Sequence, residues 1–539
     1  MIRARLSLAA ASALTVAGSA SAQEAATRRA RTYVRPYVEA SQILTADLND
    51  GDIVTFTTLS VGVDAGVNTA RSEAQIGLRY DRLISWDDDV GDSDVLSGLA
   101  RGSYLVAPGL TIEAGGIATR ARSDNRGSAP GVLIGEPDNI TQIYSLYAGP
   151  TLSRPVGMAR LDAGYRIGYT KVETPDSVLL APGLGRRDFY DDATNHLATA
   201  RLSVAPGAVL PVGLALSAGY EREDAGQLGQ RYEGVLVRGD VLAPVSATVA
   251  LAAGVGYEKI ESSSRQPLVT PEGAIAVDDD GRFLSDPSRP RRVDYRTDGV
   301  YYDAGVVWRP NRRTEARASI GERYGSFSGT GSLSYQASES VGLAVGVYDG
   351  VQTFGRQLRQ GIANLPTSFV SARDQFTQTY NGCVFGTSGR TPGGCLNAVF
   401  QSINTTSYRA RGIDAVISAT RGVHQFGAGA GYANRRLHAG RLPVGVTVFG
   451  VEDESVYGSL FYARSLTPAS GFNAQAFLNY YNTVGLGDDE VYAGGAVATY
   501  FHRFGRLQTT ASAGIYGFQV GDFDDQWSAQ ALLGARYSF

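Results

Sequence analysis

The last ten residues, Gln530-Ala-Leu-Leu-Gly-Ala-Arg-Tyr-Ser-Phe539, alternate between two kinds of side chain. Every second residue counted back from the C-terminal Phe539 is alanine, leucine or an aromatic residue, whereas Arg536 and Ser538 fall on the opposite face. Successive side chains of a β-strand point to opposite faces. The stretch therefore predicts a strand with one apolar and one polar face.

The same alternation recurs along the chain, most clearly in 160–171, 71–80 and 472–480. A soluble β-sandwich also alternates, so one such segment proves little. The segments recur, however, without an intervening linker or helical periodicity. Repeated strands of this kind are typical of transmembrane barrels, in which apolar residues face lipid and polar residues face the lumen.

Connections between the strands give a second indication. Roughly ten short turns, such as 64–68, alternate with about eleven longer polar segments, such as 325–329 and 350–408, which gives about 22 strands. We therefore predict an all-β protein, a single antiparallel transmembrane β-barrel of about 22 strands within a range of roughly 18–24. Its short turns are expected in the periplasm and its long loops outside the cell.

The N-terminus is typical of an exported protein. Arg3 and Arg5 precede an uncharged apolar run, 6–16, and Ala20-Ser-Ala22 fits the small-x-small pattern of a cleavage site. We predict a signal peptide at 1–22, a short periplasmic segment at 23–32 and a barrel over 33–539. The expected location is the outer membrane of a Gram-negative bacterium.

The C-terminal strand resembles the signature that the barrel-assembly machinery reads in outer-membrane proteins. The residues that carry this resemblance are Leu533, Ala535, Tyr537 and Phe539. It implies that this machinery is a partner during biogenesis, and outer-membrane lipid and lipopolysaccharide are the expected surroundings of the folded chain.

The two cysteines, Cys383 and Cys395, lie in one glycine-rich part of segment 350–408. Two nearby cysteines in an exported protein favour a disulfide over free thiols. A short helix is expected near 353–365. Long loops are usually functional or disordered. Segment 350–408 is therefore either a constriction or plug of the lumen or an exposed surface loop, and the sequence favours neither.

Charged residues on the polar faces of the strands are expected to line the lumen. They are Arg71, Glu73, Arg79, Arg160, Asp162, Arg166, Glu315, Arg317 and Arg323. Both signs occur in similar number, which favours ion-pair ladders that hold the wall together. The other interpretation is that these charges set the selectivity of a pore.

No catalytic pattern is evident. The four histidines, His196, His424, His438 and His502, lie in no motif that supplies a nucleophile or an acid partner, and no phosphate-binding loop is present. We predict no enzyme activity, no cofactor and no metal site. The net charge of −4 gives no support for nucleic-acid binding.

Two stretches carry a family resemblance. The first is Tyr33-Val-Arg-Pro-Tyr-Val-Glu-Ala-Ser41 with 44–48; the second is 307–324, which contains Trp308-Arg-Pro-Asn-Arg-Arg-Thr314 and is followed by 333–335. They resemble the outer-membrane porins found beside exopolysaccharide-synthesis and exosortase-type protein-sorting genes in Proteobacteria. The resemblance implies a role in polysaccharide export or surface assembly, with polysaccharide-export components as partners.

The first functional hypothesis is a passive outer-membrane pore or export conduit, for which exopolysaccharide is the suggested substrate. The alternative is a non-conducting structural or adhesive barrel whose long loops bind surface polymers. Energy-coupled receptors carry a large N-terminal plug domain. Because the first predicted strand begins about ten residues after the predicted cleavage site, that family is disfavoured.

Overall fold

The structure is a computed structural model. It describes residues 31–86, 91–122, 140–173, 186–187, 190–271, 273, 275–278, 282–370, 374–376, 380, 382–400, 403, 405–438, 446–447, 452–484, 490–521 and 524–539. The predicted signal peptide, 1–22, and most of the predicted segment 23–32 lie outside these residues.

Twenty-two strands form one antiparallel ring in chain order. They are β1 (Arg31–Asp47), β2 (Ile53–Asn68), β3 (Ser72–Ser85), β4 (Ser93–Ala107), β5 (Leu110–Arg122), β6 (Ile140–Val156), β7 (Ala159–Glu173), β9 (Asp192–Val204), β10 (Gly213–Ala225), β11 (Arg231–Pro244), β12 (Val249–Ser264), β13 (Arg292–Asn311), β14 (Thr314–Arg323), β15 (Ser326–Gln336), β16 (Val341–Gln352), β20 (Tyr408–Arg421), β21 (His424–Leu437), β23 (Glu452–Thr467), β24 (Ser470–Val484), β25 (Val491–Phe504), β26 (Leu507–Val520) and β27 (Gln526–Ser538).

The remaining elements are not strands of the ring. They are the paired short strands β8 (Arg186–Arg187) and β22 (Val446–Thr447), the sheet of β17 (Phe369–Val370), β18 (Cys383–Ser388) and β19 (Thr391–Cys395), the helices α1 (Phe354–Asn364) and α2 (Asn397–Phe400), and a 3-10 turn at Gln227–Gly229. No helix in the described ranges is long and apolar enough to cross a membrane.

The first and last strands close the ring. β1 pairs with β27 from Tyr37 opposite Ser538 to Asp47 opposite Ser528, so every ring strand has two partners. The inner face carries an ion-pair chain across this seam: Glu39 of β1 lies 2.8 Å from Arg536 of β27. The prediction of an all-β antiparallel protein of about 22 strands is confirmed.

The ring has two distinct ends. At the short-turn end, neighbouring strands are joined by connections such as 69–71 and 505–506. At the loop end, the connections include the long segments 265–291 and 353–407. Mostly short connections at one end and mostly longer ones at the other are the pattern expected of an up-and-down sheet closed on itself.

Two of the predicted connections are wrong. Residues 64–68 belong to β2, where Asp64 faces the interior 3.3 Å from Arg536, so a polar inner-face residue was mistaken for a turn. Most of 325–329 belongs to β15. The actual turn is Tyr324-Gly325, and both residues have positive φ, as tight hairpin turns require.

The outer face of the ring is apolar and carries aromatic residues at both ends. Tyr80 and Tyr492 near the loop end donate hydrogen bonds to Asp94 and Glu490, at 2.8 and 2.7 Å. Near the short-turn end the exposed aromatic residues include Tyr104, Trp308, Tyr335, Tyr500 and Tyr537. A closed ring with an apolar band between two aromatic girdles is the architecture of an outer-membrane protein, and the chain is integral to that membrane.

Arg79 of β3 is central to the inner wall. Its side chain is 2% exposed and lies 2.8 Å from Glu39 and 2.6 Å from Asp81. Removing one partner of a buried ion pair leaves the other charge uncompensated. We therefore expect Arg79→Ala to lower the free energy of unfolding by about 3–5 kcal/mol, measured by urea titration of the refolded protein.

The control is Arg82→Ala. Arg82 makes comparable ion pairs, 2.9 Å from Asp92 and Asp94, but its side chain is 43% exposed. Exposed pairs contribute about 0–1 kcal/mol, so this variant should unfold close to the wild type. Equal losses in both variants would contradict a special role of the buried pairs.

Candidate functional site

The candidate site is the segment between β16 and β20, residues 353–407, called here the inner segment. β16 and β20 pair directly with each other, so the segment leaves and re-enters the ring between neighbouring strands. Most of its described residues are buried, and they contact strands on several sides of the ring. It occupies the interior of the ring and does not form an exposed surface loop.

Helix α1 begins the inner segment and lies within the predicted helical range 353–365. Thr353 caps it, since its hydroxyl accepts a hydrogen bond from the Arg356 amide at 3.4 Å. Phe354, Leu358 and Ile362 recur every fourth residue and are fully buried. This stripe packs against the inner face of strands β5, β6, β7 and β9. The helix is therefore held by burial of its apolar side.

The polar side of α1 is anchored by a buried carboxylate. Glu221 of β10 accepts hydrogen bonds from Arg356 and from Arg359, the latter at 2.8 Å. All three side chains are nearly inaccessible to solvent. The Arg356 guanidinium also lies 3.8 Å from the ring centre of Tyr232. We call Glu221, Arg356 and Arg359 the helix latch.

Burial and charge act oppositely on the two arginines of the latch. Burial lowers the pKa of Arg356, but the charge of Glu221 and its hydrogen bond outweigh burial and raise the pKa above its ordinary value. For Arg359, burial prevails and lowers the pKa, since Arg356 and Arg166 add like charge. One carboxylate thus holds two buried cations, and losing its charge removes the main compensation for both.

The C-terminal end of α1 is held by β4. Arg101 donates hydrogen bonds to the carbonyl oxygens of Ala363 and Leu365, at 2.9 and 3.2 Å. The last carbonyls of a helix lack partners within the helix and carry partial negative charge. An arginine from the wall therefore supplies both the missing donors and a complementary charge.

Three further contacts fix the middle of the inner segment. Gln75 of β3 exchanges hydrogen bonds with the backbone of Phe369, at 2.9 and 3.0 Å. Tyr516 of β26 donates to the carboxylate of Asp374 at 2.9 Å, and Phe376 packs in an apolar cluster with residues of β1, β2 and β27. These strands are far from β16 and β20 around the ring, so the segment crosses the interior.

The hairpin of β18 and β19 lies along the wall formed by β20 and β21. Cys383 and Cys395 stand opposite each other in it and form a disulfide. The inner face of β21 gives them room, because a Cβ at Gly427 would overlap the Phe385 ring and one at Gly429 would overlap both sulfurs. At the hairpin tip, Gly389 donates to the Glu339 carbonyl at 2.8 Å, beside the short turn between β15 and β16.

The packing of the hairpin against this wall was not predicted from the sequence. The signal was present: glycines 427, 429 and 431 alternate along one strand, so its inner face lacks side chains. Glycine in a strand often marks a close approach of another group. Glu221, which anchors the helix, could not be found in this way. A single charge on a strand does not indicate a partner as distant in the chain as Arg359.

The predicted lumen residues that belong to ring strands lie on the inner face, and most of them form ion pairs. Arg160 pairs with Asp162 at 3.3 Å, Arg166 with Glu113 at 3.1 Å, Arg317 with Glu315 at 2.6 Å and Arg323 with Glu258 at 2.6 Å. Glu73 and Arg79 belong to β3, whereas Arg71 lies in the short turn before it. This pattern favours the ion-pair ladder over a ring of free selectivity charges.

The predicted assembly-signal residues Leu533, Ala535, Tyr537 and Phe539 lie on the outer face of the last strand or at its end. Their role in assembly stays a prediction. Near β15 the interior is open, since Ser332 and Ser334 on the inner face are exposed. The inner segment thus fills much of the interior and leaves space along this strand.

The histidines do not converge. His196 contacts Tyr165 at 2.8 Å, His424 contacts Tyr462 at 2.9 Å, and His438 stacks on Tyr295 with ring centres 3.8 Å apart. Among the described residues, no group of three or more His, Cys, Asp or Glu side chains is arranged to hold a metal ion.

No protein-family model matches the chain, and no curated protein matches it. Solved structures with a similar ring include the copper transporter OprC (12% identity, 94% of this chain and 81% of that chain covered, TM-score 0.38). A second is the ferric-catecholate import receptor Fiu of E. coli K12 in its open form (12% identity, 93% of this chain and 81% of that chain covered, TM-score 0.43). A third is the FrpB iron transporter of Neisseria meningitidis (10% identity, 94% of this chain and 81% of that chain covered, TM-score 0.41).

These findings correct several predictions. The family resemblance to exopolysaccharide-associated porins is wrong, since the similar structures are transporters and receptors of copper, ferric catecholate and iron. The passive pore or export conduit, the adhesive alternative and the polysaccharide-export partners are corrected with it. The physical reason within this chain is the inner segment, which is anchored at separate points across the interior.

A substitution at Gly429 tests whether the disulfide hairpin needs a wall without side chains at this position. We expect Gly429→Ala to overpack this contact at a cost of about 1–3 kcal/mol. The state in which the hairpin is displaced from the wall should then be populated roughly fivefold or more above its wild-type level, and the disulfide should be reduced correspondingly faster. The measurement is the rate of thiol labelling under mild reductant.

Gly346→Ala is the matched control, because Gly346 also lies in a ring strand but has no atom within 4 Å of its added Cβ. Its disulfide should be reduced at the wild-type rate. Identical rates in all three proteins would show that the hairpin does not depend on the glycine wall.

Proposed function

We propose that this chain is an outer-membrane channel for selective uptake, and that the inner segment is its resident plug. The observation that carries the proposal is the set of anchors on opposite parts of the wall: Glu221 on β10, Gln75 on β3 and Tyr516 on β26. A segment held in this way closes a lumen that wall side chains are too short to fill.

The proposed orientation places the short-turn end in the periplasm and the loop end outside the cell. The helix latch then lies toward the outside, because Glu221 is near the loop end of β10. A ligand that arrives from outside meets α1 first, whereas the hairpin tip at Gly389 lies at the periplasmic side. This arrangement supports uptake with an outward-facing trigger.

One of the similar solved structures, Fiu, is named as an import receptor, and the other two are named as transporters. Their TM-scores lie below 0.5, so their cargo is not assigned to this chain. The proposal depends on the contacts of the inner segment alone. It differs from a passive pore, because passage requires the latch to open.

The test is single-channel conductance in planar bilayers. We expect the wild type to be closed and Glu221→Gln to show repeated openings, because two buried arginines lose their compensating charge. Breaking such a pair costs about 3–5 kcal/mol, enough to shift a closed state toward an open one by a factor of roughly a hundred or more. Arg359→Gln added to Glu221→Gln should reduce the openings, since one of the uncompensated cations is removed.

Glu233→Gln is the control, because Glu233 lies near the loop end of the neighbouring strand but is exposed on the outer face. It should stay closed. A wild-type protein that conducts steadily, or a Glu221→Gln variant that folds with normal heat-modifiable migration and stays closed, would contradict the proposed plug.

A further inference from the structure

The outer face of strands β20 to β26 contains a depression of about 760 Å³. Its floor consists of small side chains, among them Ala474, Ala476, Ala496 and Ala498. Leu460 and Tyr462 rise on one side and Ile515 on the other. The ring wall is therefore locally thinned on the surface that faces lipid.

Strand register orders this surface into horizontal rows. One row runs Phe426, Tyr462, Ala474, Ala498 and Ala513, each opposite the next on adjacent strands. The row above it toward the loop end runs Ala428, Leu460, Ala476, Ala496 and Ile515. Both rows belong to the depression, which spans roughly 7 Å from row to row along the strands.

The row below, nearer the short-turn end, is basic. Arg421 lies opposite His424, and His424 lies opposite Arg464. Adjacent strands are about 4.8 Å apart, so the two arginines start roughly 10 Å apart with a histidine between them. Both arginine side chains are long enough to meet over one phosphate group.

These basic side chains are free to take an anion. Within the part of the chain that the structure describes, Arg421, His424 and Arg464 form no ion pair. This contrasts with the inner wall, where arginines such as Arg79 and Arg238 are matched by carboxylates. His424 contacts Tyr462, at 2.9 Å, which positions its ring at the edge of the depression.

We propose that this surface is a specific binding site for one anionic glycerophospholipid. Its phosphate lies on Arg421 and Arg464, and an acyl chain fills the alanine-floored depression above them. The basic row matches the negative phosphate group of a phospholipid, and the apolar depression directly above it matches an acyl chain. In the orientation proposed above, the short-turn end lies in the periplasmic leaflet.

The test is native mass spectrometry of the full chain, released from detergent after titration with phosphatidylglycerol. We expect one lipid to be retained by the wild type. The double variant Arg421→Gln with Arg464→Gln should bind it roughly tenfold or more weakly, because each basic residue near a membrane surface adds to lipid attraction. Ala498→Trp, which fills the depression, should weaken binding while leaving the arginines in place.

Two matched controls should bind like the wild type: Arg312→Gln with Arg313→Gln in another short turn, and Ala304→Trp on the outer face of β13. Inorganic phosphate at equal concentration should not displace the lipid. Equal retention by every variant, displacement by free phosphate, or a dimer in place of a lipid adduct would each overturn the proposal. The plug has no part in this measurement, so its result is separate from the conductance test.

Discussion

The pairing of β1 with β27 is the constraint on which the rest of the structure depends. In hydrocarbon, each unpaired backbone amide or carbonyl is costly, so a sheet can cross the membrane only if it has no edge. The eleven-residue register from Tyr37 to Asp47 removes that edge. Outward apolar side chains, inward ion pairs and the alternating turns follow from a sheet closed in this way.

Closure of so many strands creates a second problem, because the enclosed space is wider than two facing side chains can fill. This chain meets it with one insertion between paired strands. The wall is adapted to the insertion: glycines on β21 admit the disulfide, Arg101 supplies donors to the end of α1, and Glu221 compensates two arginines. The insertion and the wall thus form one packed unit.

Much of the fold could be predicted because lipid and water impose a strict alternation on each strand. The strand in 160–171 was evident from that pattern alone, and so was the approximate strand number. The ends of the strands were harder to predict. Asp64, for example, is a polar residue that pairs with Arg536 on the inner face and does not lie in a turn. The course of the inner segment could not be predicted, because its anchors, such as Glu221 and Gln75, are isolated residues more than a hundred positions away.

The family resemblance failed for a related reason. The motif Trp308-Arg-Pro-Asn-Arg-Arg-Thr314 covers the end of β13, the turn after it and the first residue of β14, and a motif that belongs to the fold does not specify a function. The contacts that hold the inner segment lie instead in the interior, on isolated residues such as Glu221.

The two ends of the inner segment are attached to neighbouring strands, β16 and β20, at the same rim of the ring. It is therefore a tethered body that stays at high effective concentration near its own binding surface after any release. Re-closure is unimolecular and independent of protein concentration. If the proposed channel opens by release of the helix latch, both ends of its plug stay attached to the wall, and closing again is a rearrangement within one chain.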